Sequence, residues 1–337
     1  MKKSLLVSAV LSALAGGVAA QTPSAISIYG ILDAGLNNER GGAAGSVNKL
    51  TSGVQSGSRL GFRGTEDLGG GNSARFVLEN GFGVDNGTIG QGGRVFGRQA
   101  WVGLNGAWGA IAIGRQYSPH YLALMENDPF KVGLSGNAQN LITATSRVDN
   151  ALTYKSPQLS GATVEVIYGL GEAPGNNNAA RQFGGAVGYN SGPLNVKLAY
   201  HNTNNATGND SAQNTLLIGT WNFGPVIGNL ALTQNKGSVN AGVFAPLDSR
   251  DYLIGFSAPF GPSTIIGSYI KKDDRSTANQ DASQWALGYT YSLSERTNLY
   301  TSYGKITNDN GASFKVNTAI DPGTGNQAIN FGIRHKF

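Results

Sequence analysis

The feature that most constrains this chain is an alternation of side-chain character with a period of two, plainest in the last ten residues. Ile329, Phe331, Ile333, His335 and Phe337 fall on one face, and Ala328, Asn330, Gly332, Arg334 and Lys336 fall on the other. A helix would scatter these residues around its circumference, whereas a strand separates the apolar set from the charged one. The period recurs near the start, where Ile26, Ile28, Leu32, Ala34 and Leu36 oppose Ser27, Tyr29, Asp33 and Gly35. It recurs again around Trp285, Leu287, Tyr289, Tyr291 and Leu293, along Val196, Leu198 and Tyr200, and along Tyr252, Ile254 and Phe256. These are two-sided strands, greasy on one side and wet on the other.

About sixteen such segments are expected, near 25–37, 57–66, 73–83, 94–106, 108–115, 146–156, 161–170, 181–190, 193–202, 213–223, 225–235, 250–259, 262–272, 281–293, 296–305 and 326–337. Their connections alternate in kind. Some are tight, such as Asn190-Ser191-Gly192-Pro193; others are long and rich in Gly, Asn and Ser, such as 37–57 and 305–327. Short turns at one end and long loops at the other are the asymmetry of an outer-membrane barrel with both termini in the periplasm. A soluble sandwich would also alternate, but sixteen strands are many for one such domain. The expected fold is therefore all-β, a transmembrane antiparallel barrel of 16 strands.

The N-terminus supports export. Met1-Lys2-Lys3, an apolar run from Leu5 to Ala15 and small residues up to Val18-Ala19-Ala20 have the form of a signal peptide cleaved before Gln21. The apolar run is shorter than the ~20 residues of a spanning helix. Residues 1–20 are thus assigned to a signal peptide and 21–337 to one barrel. The chain has no cysteine, so it has neither disulfides nor thiolate metal sites, and its three histidines make no ligand pair at helical spacing. A formal charge of +5 falls to +3 on loss of Lys2 and Lys3, and the 13% charged residues are dispersed rather than gathered into a nucleic-acid patch. No cofactor is implied. With 9% aromatic residues, 50 glycines and a mean hydropathy of −0.18, the chain has the average of a soluble protein. A barrel that alternates lipid-facing and lumen-facing residues has the same average.

Several runs resemble the Gram-negative general porins of the trimeric β-proteobacterial type. They are Ile28-Tyr29-Gly30-Ile31-Leu32-Asp33-Ala34-Gly35, the stretch from Gly57 through Arg59, Leu60, Phe62 and Arg63 to Gly71, Gly114-Arg115-Gln116-Tyr117, Arg147 to Tyr154, and the terminal Phe337. The resemblance spans the mature chain in order. It implies a homotrimer in the outer membrane, among lipid and lipopolysaccharide, passing small hydrophilic solutes and ions through a pore narrowed by an inward-folded third external loop. Phe337 would be the signal read by the barrel-assembly machinery. The segment from Tyr117 to Ser146 carries Tyr121, Leu122, Leu124, Met125, Phe130, Leu134, Leu141 and Ile142, which a loop lying in water would not need. Its Asp128-Pro129-Phe130-Lys131 departs from the Pro-Glu-Phe-Gly-like element common in the family.

Strand phase assigns the charges. Leu60 and Phe62 are read as outward, so Arg59 and Arg63 face the lumen; Trp101 and Gly103 are read as outward, so Arg98, Ala100 and Val102 face inward. Leu152 and Tyr154 outward place Arg147, Asp149, Ala151, Thr153 and Lys155 inside. A charge on the lipid face costs about 2–4 kcal/mol at the midplane, which favours these assignments. The resemblance carries the basic wall of a constriction onto Arg59, Arg98 and Arg147, with Glu126 and Asp128 opposite. Arg63, Lys131, Asp149 and Lys155 are expected as secondary lumen charges, and Arg115 is left out of the pore as a candidate contact between subunits. The balance favours anions, so moderate anion selectivity is expected. A sugar- or phosphate-specific channel is the alternative, but the aromatics fall mostly on outward phases and the lysines are scattered. An outer-membrane enzyme ranks lower, because His120 and His201 have no recognisable nucleophile or acid partner and no Gly-x-Ser-x-Gly is present.

Overall fold

The computed structural model describes residues 25–43, 45–237 and 248–337; the expected signal peptide lies outside them. Seventeen strand segments form one antiparallel sheet. The first five are β1 (Ala25–Gly42), β2 (Gly45–Ser52), β3 (Arg59–Gly69), β4 (Asn72–Gly81) and β5 (Gln99–Gly106). Next come β6 (Gly109–Tyr117), β7 (Arg147–Lys155), β8 (Ala162–Gly169), β9 (Gln182–Ser191), β10 (Leu194–Asn204) and β11 (Ser211–Asn222). The last six are β12 (Ile227–Gly237), β13 (Asp248–Phe260), β14 (Ser263–Asp274), β15 (Ala282–Ser292), β16 (Thr297–Asn308) and β17 (Gln327–Lys336). Apart from β2 and β3, which both pair with β1, each pairs with its neighbours in sequence, and β17 returns to β1 in a register that runs from Ile31↔Lys336 to Arg40↔Gln327. The sheet is closed, so no row of backbone donors and acceptors is left for lipid, which could not satisfy it.

Seventeen segments fill sixteen places in the barrel. Ala34 to Glu39 of β1 pair with β2, while Ala25 to Ile31 of the same strand pair with β3. β2 and β3 are therefore one barrel strand, interrupted at Gly53–Ser58. The interruption wraps around Asp33, a fully buried residue whose carboxylate accepts from the Gln55 and Ser56 amides at 3.0 and 2.6 Å and from the Tyr300 hydroxyl at 2.7 Å. The expected long loop at 37–57 is thus corrected: β1 and β2 continue as a hairpin well into that range. Alternation does not reveal it, because polar pairs replace the apolar face there. Asn38 donates to Asn48 at 2.7 Å, and Lys49 bridges Glu39 and Asp321 at 3.1 Å each. The strand expected at 94–106 also begins later, at Gln99.

The barrel is inside out relative to a soluble protein. Val102, Ile113, Leu230 and Ile254 are each about 60% exposed and face outward, where lipid rather than water meets them. Among the described residues no helix is long and apolar enough to cross a membrane; the crossings are made by strands. Polar side chains of several strands meet the connection between β6 and β7, which begins with helix α1 (Pro119–Asn127). Ser118 caps the helix by accepting from the Tyr121 amide at 3.0 Å, and Pro119 occupies its first turn. α1 lies on β8 to β11, and Asn229 of β12 donates to the carbonyl of its last residue, Asn127, at 2.7 Å. Farther along, the Leu134 amide donates to the Val54 carbonyl at 2.7 Å and the Ser135 amide to Ser302 Oγ of β16 at 3.0 Å. Asn140 donates to Gln284 of β15 at 2.7 Å. Phe130 and Leu134 are buried with Val54, Ile266, Ala286 and Tyr300.

The seam that closes the barrel depends on a missing side chain. Gly35 of β1 faces Gly332 of β17, and the buried Tyr300 ring crosses both; a Cβ on Gly332 would stand 2.2 Å from the Tyr300 hydroxyl. Gly332→Val should displace Tyr300, strip Asp33 of a donor and destabilise the barrel by about 1–3 kcal/mol, as overpacking does. The neighbouring outward change Ile333→Val should have a much smaller effect. Gel-shift melting of the two purified variants compares them, and equal midpoints would contradict this account of the seam.

Candidate pore constriction

Three arginines that lie far apart in sequence meet near the β3–β5–β7 side of the lumen. Arg59 opens β3 and donates from Nε to the Gly57 carbonyl at 2.9 Å; a Cβ on Gly57 would stand 2.9 Å from Arg98 Nη1, so both guanidinium groups converge on this glycine. Arg98 donates from Nε to Glu79 Oε1 at 2.8 Å and from Nη2 to the Tyr117 hydroxyl at 2.7 Å. Arg147, at the start of β7, donates from Nη2 to the same hydroxyl at 2.9 Å and from Nε to the Arg98 carbonyl at 2.9 Å. Its guanidinium lies 4.6 Å from the centroid of the Tyr117 ring, which stacks on Tyr121 of α1 at 5.4 Å. Tyr117 is the hub: one hydroxyl accepts from two arginines that would otherwise repel.

The sequence reading missed Glu79, Tyr29 and Tyr117. Glu79 is the carboxylate of the cluster, nearly inaccessible, and takes a second hydrogen bond from Tyr29 at 2.9 Å. It alternates in phase with Val77 on β4 and so could have been placed inside. Nothing local, however, marks it as the partner of a residue on another strand.

On the other side, Glu126 at the end of α1 is exposed and forms an ion pair with Lys197, an inward residue of β10. Glu165 of β8 lies near Glu126, Lys197 and Lys155, its register partner on β7. Lys131 is exposed and donates to the Glu126 carbonyl. Asp128 requires a correction. It is fully buried, and its Oδ2 accepts from the Val132 and Ala138 amides at 2.8 and 3.4 Å. Burial pushes its carboxyl up to about 6. It ties the loop to itself and presents no charge to the lumen.

Two phase assignments also change. Val102, exposed to 60%, faces out, and Trp101 faces in with Glu79 and Gln99, donating to Gln99 Oε1 at 3.1 Å. Ala100 and Val102 are thus outward and Trp101 and Gly103 inward, the reverse of expectation. Arg98 still points inward, because it precedes the strand and is oriented by the end of the β4–β5 connection. Asp149 is not a lumen charge either. Gln116 pairs with Val148 but Gly114 with Ala151, so Asp149 and Asn150 together face Arg115 in a bulge, with Asn150 at φ 51°. The extra residue turns Asp149 to the outer side, where it bonds Arg115 and, at 2.9 Å, Arg94. Arg63 does face inward, its guanidinium 5.1 Å from the centroid of the Tyr29 ring. At the barrel's end Phe337 exchanges backbone hydrogen bonds with Gly30 at 3.0 and 3.1 Å, its ring filling the space over that glycine.

Comparison with known proteins agrees with this geometry. A family described as Gram-negative porin matches residues 7–311. An outer membrane porin protein of Bordetella pertussis is 32% identical over the full length of both chains, and outer membrane porin protein 32 of Delftia acidovorans is 30% identical, again over both. Among solved structures, an anion-selective porin from Comamonas acidovorans superimposes with a TM-score of 0.79 at 29% identity, over 94% of this chain and all of that one. OmpT of Vibrio cholerae, in a trimer form, shares the fold at a TM-score of 0.70 and 16% identity, over 94% of this chain and 99% of that one. Fold and family are those of a channel rather than an enzyme, and they place the protein in the outer membrane. The chain belongs to the Gram-negative porin family.

Proposed function

We propose that this porin, a general diffusion channel for small hydrophilic solutes and ions, is moderately anion-selective. Arg59, Arg98 and Arg147 are the basic side of its constriction, and the segment between β6 and β7 carries the opposing Glu126. The observation that carries the reading is the Tyr117 hub. It holds the Arg98 and Arg147 guanidinium groups together, with Arg59 converging beside them on Gly57, against a single buried carboxylate, Glu79, so the cluster keeps a positive excess. Glu126 is offset by Lys197 and stands near Lys131, which leaves the opposite side weakly charged. The contacts of the loop with β8–β12 and β15–β16 support a segment lying across the lumen. The likeness to an anion-selective porin points the same way. Residues 1–20 act as the signal peptide in this reading, and no enzymatic step is part of it.

Oligomerisation belongs to the same reading. Outward residues of β1, β2, β5 and β6, such as Ile28, Leu36, Leu50, Val102 and Ile113, are aliphatic and exposed. From β8 onward the outer face carries Tyr168, Tyr189, Trp221, Tyr252, Tyr269, Trp285 and Tyr291. Tyrosine and tryptophan favour the membrane interface, so the second surface suits lipid and lipopolysaccharide, and the first suits contact with further copies in a homotrimer.

Reversal potential across a KCl gradient tests the sign of the field. The wild type should prefer chloride, and Arg147→Gln should lower that preference roughly fourfold, the effect of one charge at ~7 Å in an effective dielectric of ~60. A cation-selective wild type would remove the proposal. The Arg98–Glu79 pair predicts a different phenotype. Arg98→Ala leaves a buried carboxylate unpaired and should cost about 3–5 kcal/mol of barrel stability, while adding Glu79→Gln should restore most of it; thermal melting of the single and double variants reads both. Finally, Phe337 is proposed as the residue recognised by the assembly machinery, through strand addition at the barrel's closing edge. Its deletion should leave export intact but reduce heat-modifiable trimer in the outer membrane, and undiminished trimer would count against that role.

A further inference from the structure

Two histidines that the pore does not use meet where α1 rests on the barrel wall. His120, the second residue of the helix, is 1% exposed, and neither of its ring nitrogens has a hydrogen-bond partner. His201 of β10 is fully buried; its Nδ1 has no partner, and its Nε2 lies 3.1 Å from Gln182 Oε1 of β9. The Nδ1 side is tightly packed, since a Cβ on Gly184 would stand 2.8 Å from it. The two rings are near enough for a charge on one to oppose a charge on the other. Buried polar atoms in folded proteins almost always find partners, so three orphan nitrogens at one seam call for an explanation.

We propose that His120 and His201 form an acid-sensitive latch: while both are neutral they let α1 dock on the wall, and their protonation releases the helix into the lumen. The inference rests on the reading of the β6–β7 segment as the channel's constricting element.

The surroundings offer a proton no compensation. Of the strands packed on α1, β9 and β11 carry no carboxylate, amine or guanidinium group. β8 contributes Glu165 and β10 contributes Lys197, which faces Glu126 of α1 itself. That carboxylate–lysine group lies at the C-terminal end of the helix, whereas His120 is in its first turn, where the helix dipole also opposes a positive charge. Burial, with His201 beside it, pushes the His120 imidazole down from 6.5 to about 3.

The sign follows from linkage. The docked seam disfavours the proton, while a helix released into lumen water would return the imidazole to its ordinary range. Docking is therefore fully supported above pH 6.5 and is progressively lost as pH falls from 6.5 towards about 3. Each pH unit below 6.5 multiplies the released-to-docked ratio by up to ~10 per histidine, and so by up to ~100 for a coupled pair. Phe130 and Leu134 remain anchored on the opposite wall, so release frees one end of the loop and should obstruct the lumen.

The test uses the full-length protein in two measurements. Hydrogen–deuterium exchange of the wild type in detergent, corrected for intrinsic rates, should show residues 119–127 protected at pH 7.5 and at least tenfold less protected at pH 4.5, with the strands unchanged. Single-channel recording in planar bilayers should show long closures at pH 4.5 that are rare at pH 7.5. His120→Gln, which keeps a polar side chain but cannot be protonated, should conduct at both pH values with at least tenfold fewer acid closures. Because it leaves one histidine, its remaining acid response should be no steeper than one proton. Unchanged protection of residues 119–127 in acid overturns the proposal, as does an acid closure equally frequent in His120→Gln, which would assign the closure to a group outside the latch. A protein that does not conduct at pH 7.5 would refute the channel reading itself, while the exchange result would still report on the latch.

Discussion

The rest of this molecule depends on one constraint: in hydrocarbon, every backbone donor and acceptor must be satisfied by the protein itself. A flat sheet of these strands would have two exposed edges, and the pairing of β1 with β17 removes both. Closure dictates much else. It forces lipid-facing and lumen-facing residues to alternate, brings the first strand against the last residue at Gly30 and Phe337, and requires Gly35 and Gly332 to leave room for Tyr300 at the seam.

Closure also explains why the interior is polar yet well ordered. A ring of sixteen strands encloses more space than its own side chains can fill, and on the proposed reading the connection between β6 and β7 occupies part of it. Attachment of that segment is distributed between apolar contacts around Phe130 and Leu134, a hydrogen bond donated by Asn229, and hydrogen bonds accepted by Ser302 and Gln284. On the wall beside it, Asp33 and Glu79 are buried carboxylates with complementary duties. Asp33 gathers the interruption between β2 and β3, and Glu79 holds Arg98 in place. Each is stabilised by several donors, as an isolated buried charge would not be.

The arginine cluster illustrates how a field is built from groups that repel one another. Neutral acceptors, the Tyr117 hydroxyl and the Gly57 and Arg98 carbonyls, take up guanidinium donors without cancelling the charge. Only one carboxylate is admitted. On the proposed reading, a solute crossing the lumen meets preorganised positive groups that need no rearrangement to act.

The sequence by itself determined the class of fold, because a period of two is a local property that any strand exposes. It placed sixteen barrel positions, one continuous barrel and the inward phase of Arg59, Arg63 and Lys155. It also nominated Arg98 and Arg147, through resemblance to a family rather than through spacing. What it left to the tertiary structure are the places where the period breaks. Beyond Leu36 and Leu50 the outer face of the β1–β2 hairpin turns polar and so carries no alternation. The bulge at Asp149 and Asn150 inserts one residue and sends a carboxylate to the other side of the wall. Trp101 faces inward although an aromatic on a barrel strand ordinarily argues for lipid, since its neighbours Glu79 and Gln99 come from register and not from order in the chain. Asp128 reads as a pore charge in one dimension and proves to be an internal tie, because only the folded loop brings the Val132 and Ala138 amides to it. Period is written along the chain, whereas partnership between distant side chains exists only once the barrel has closed.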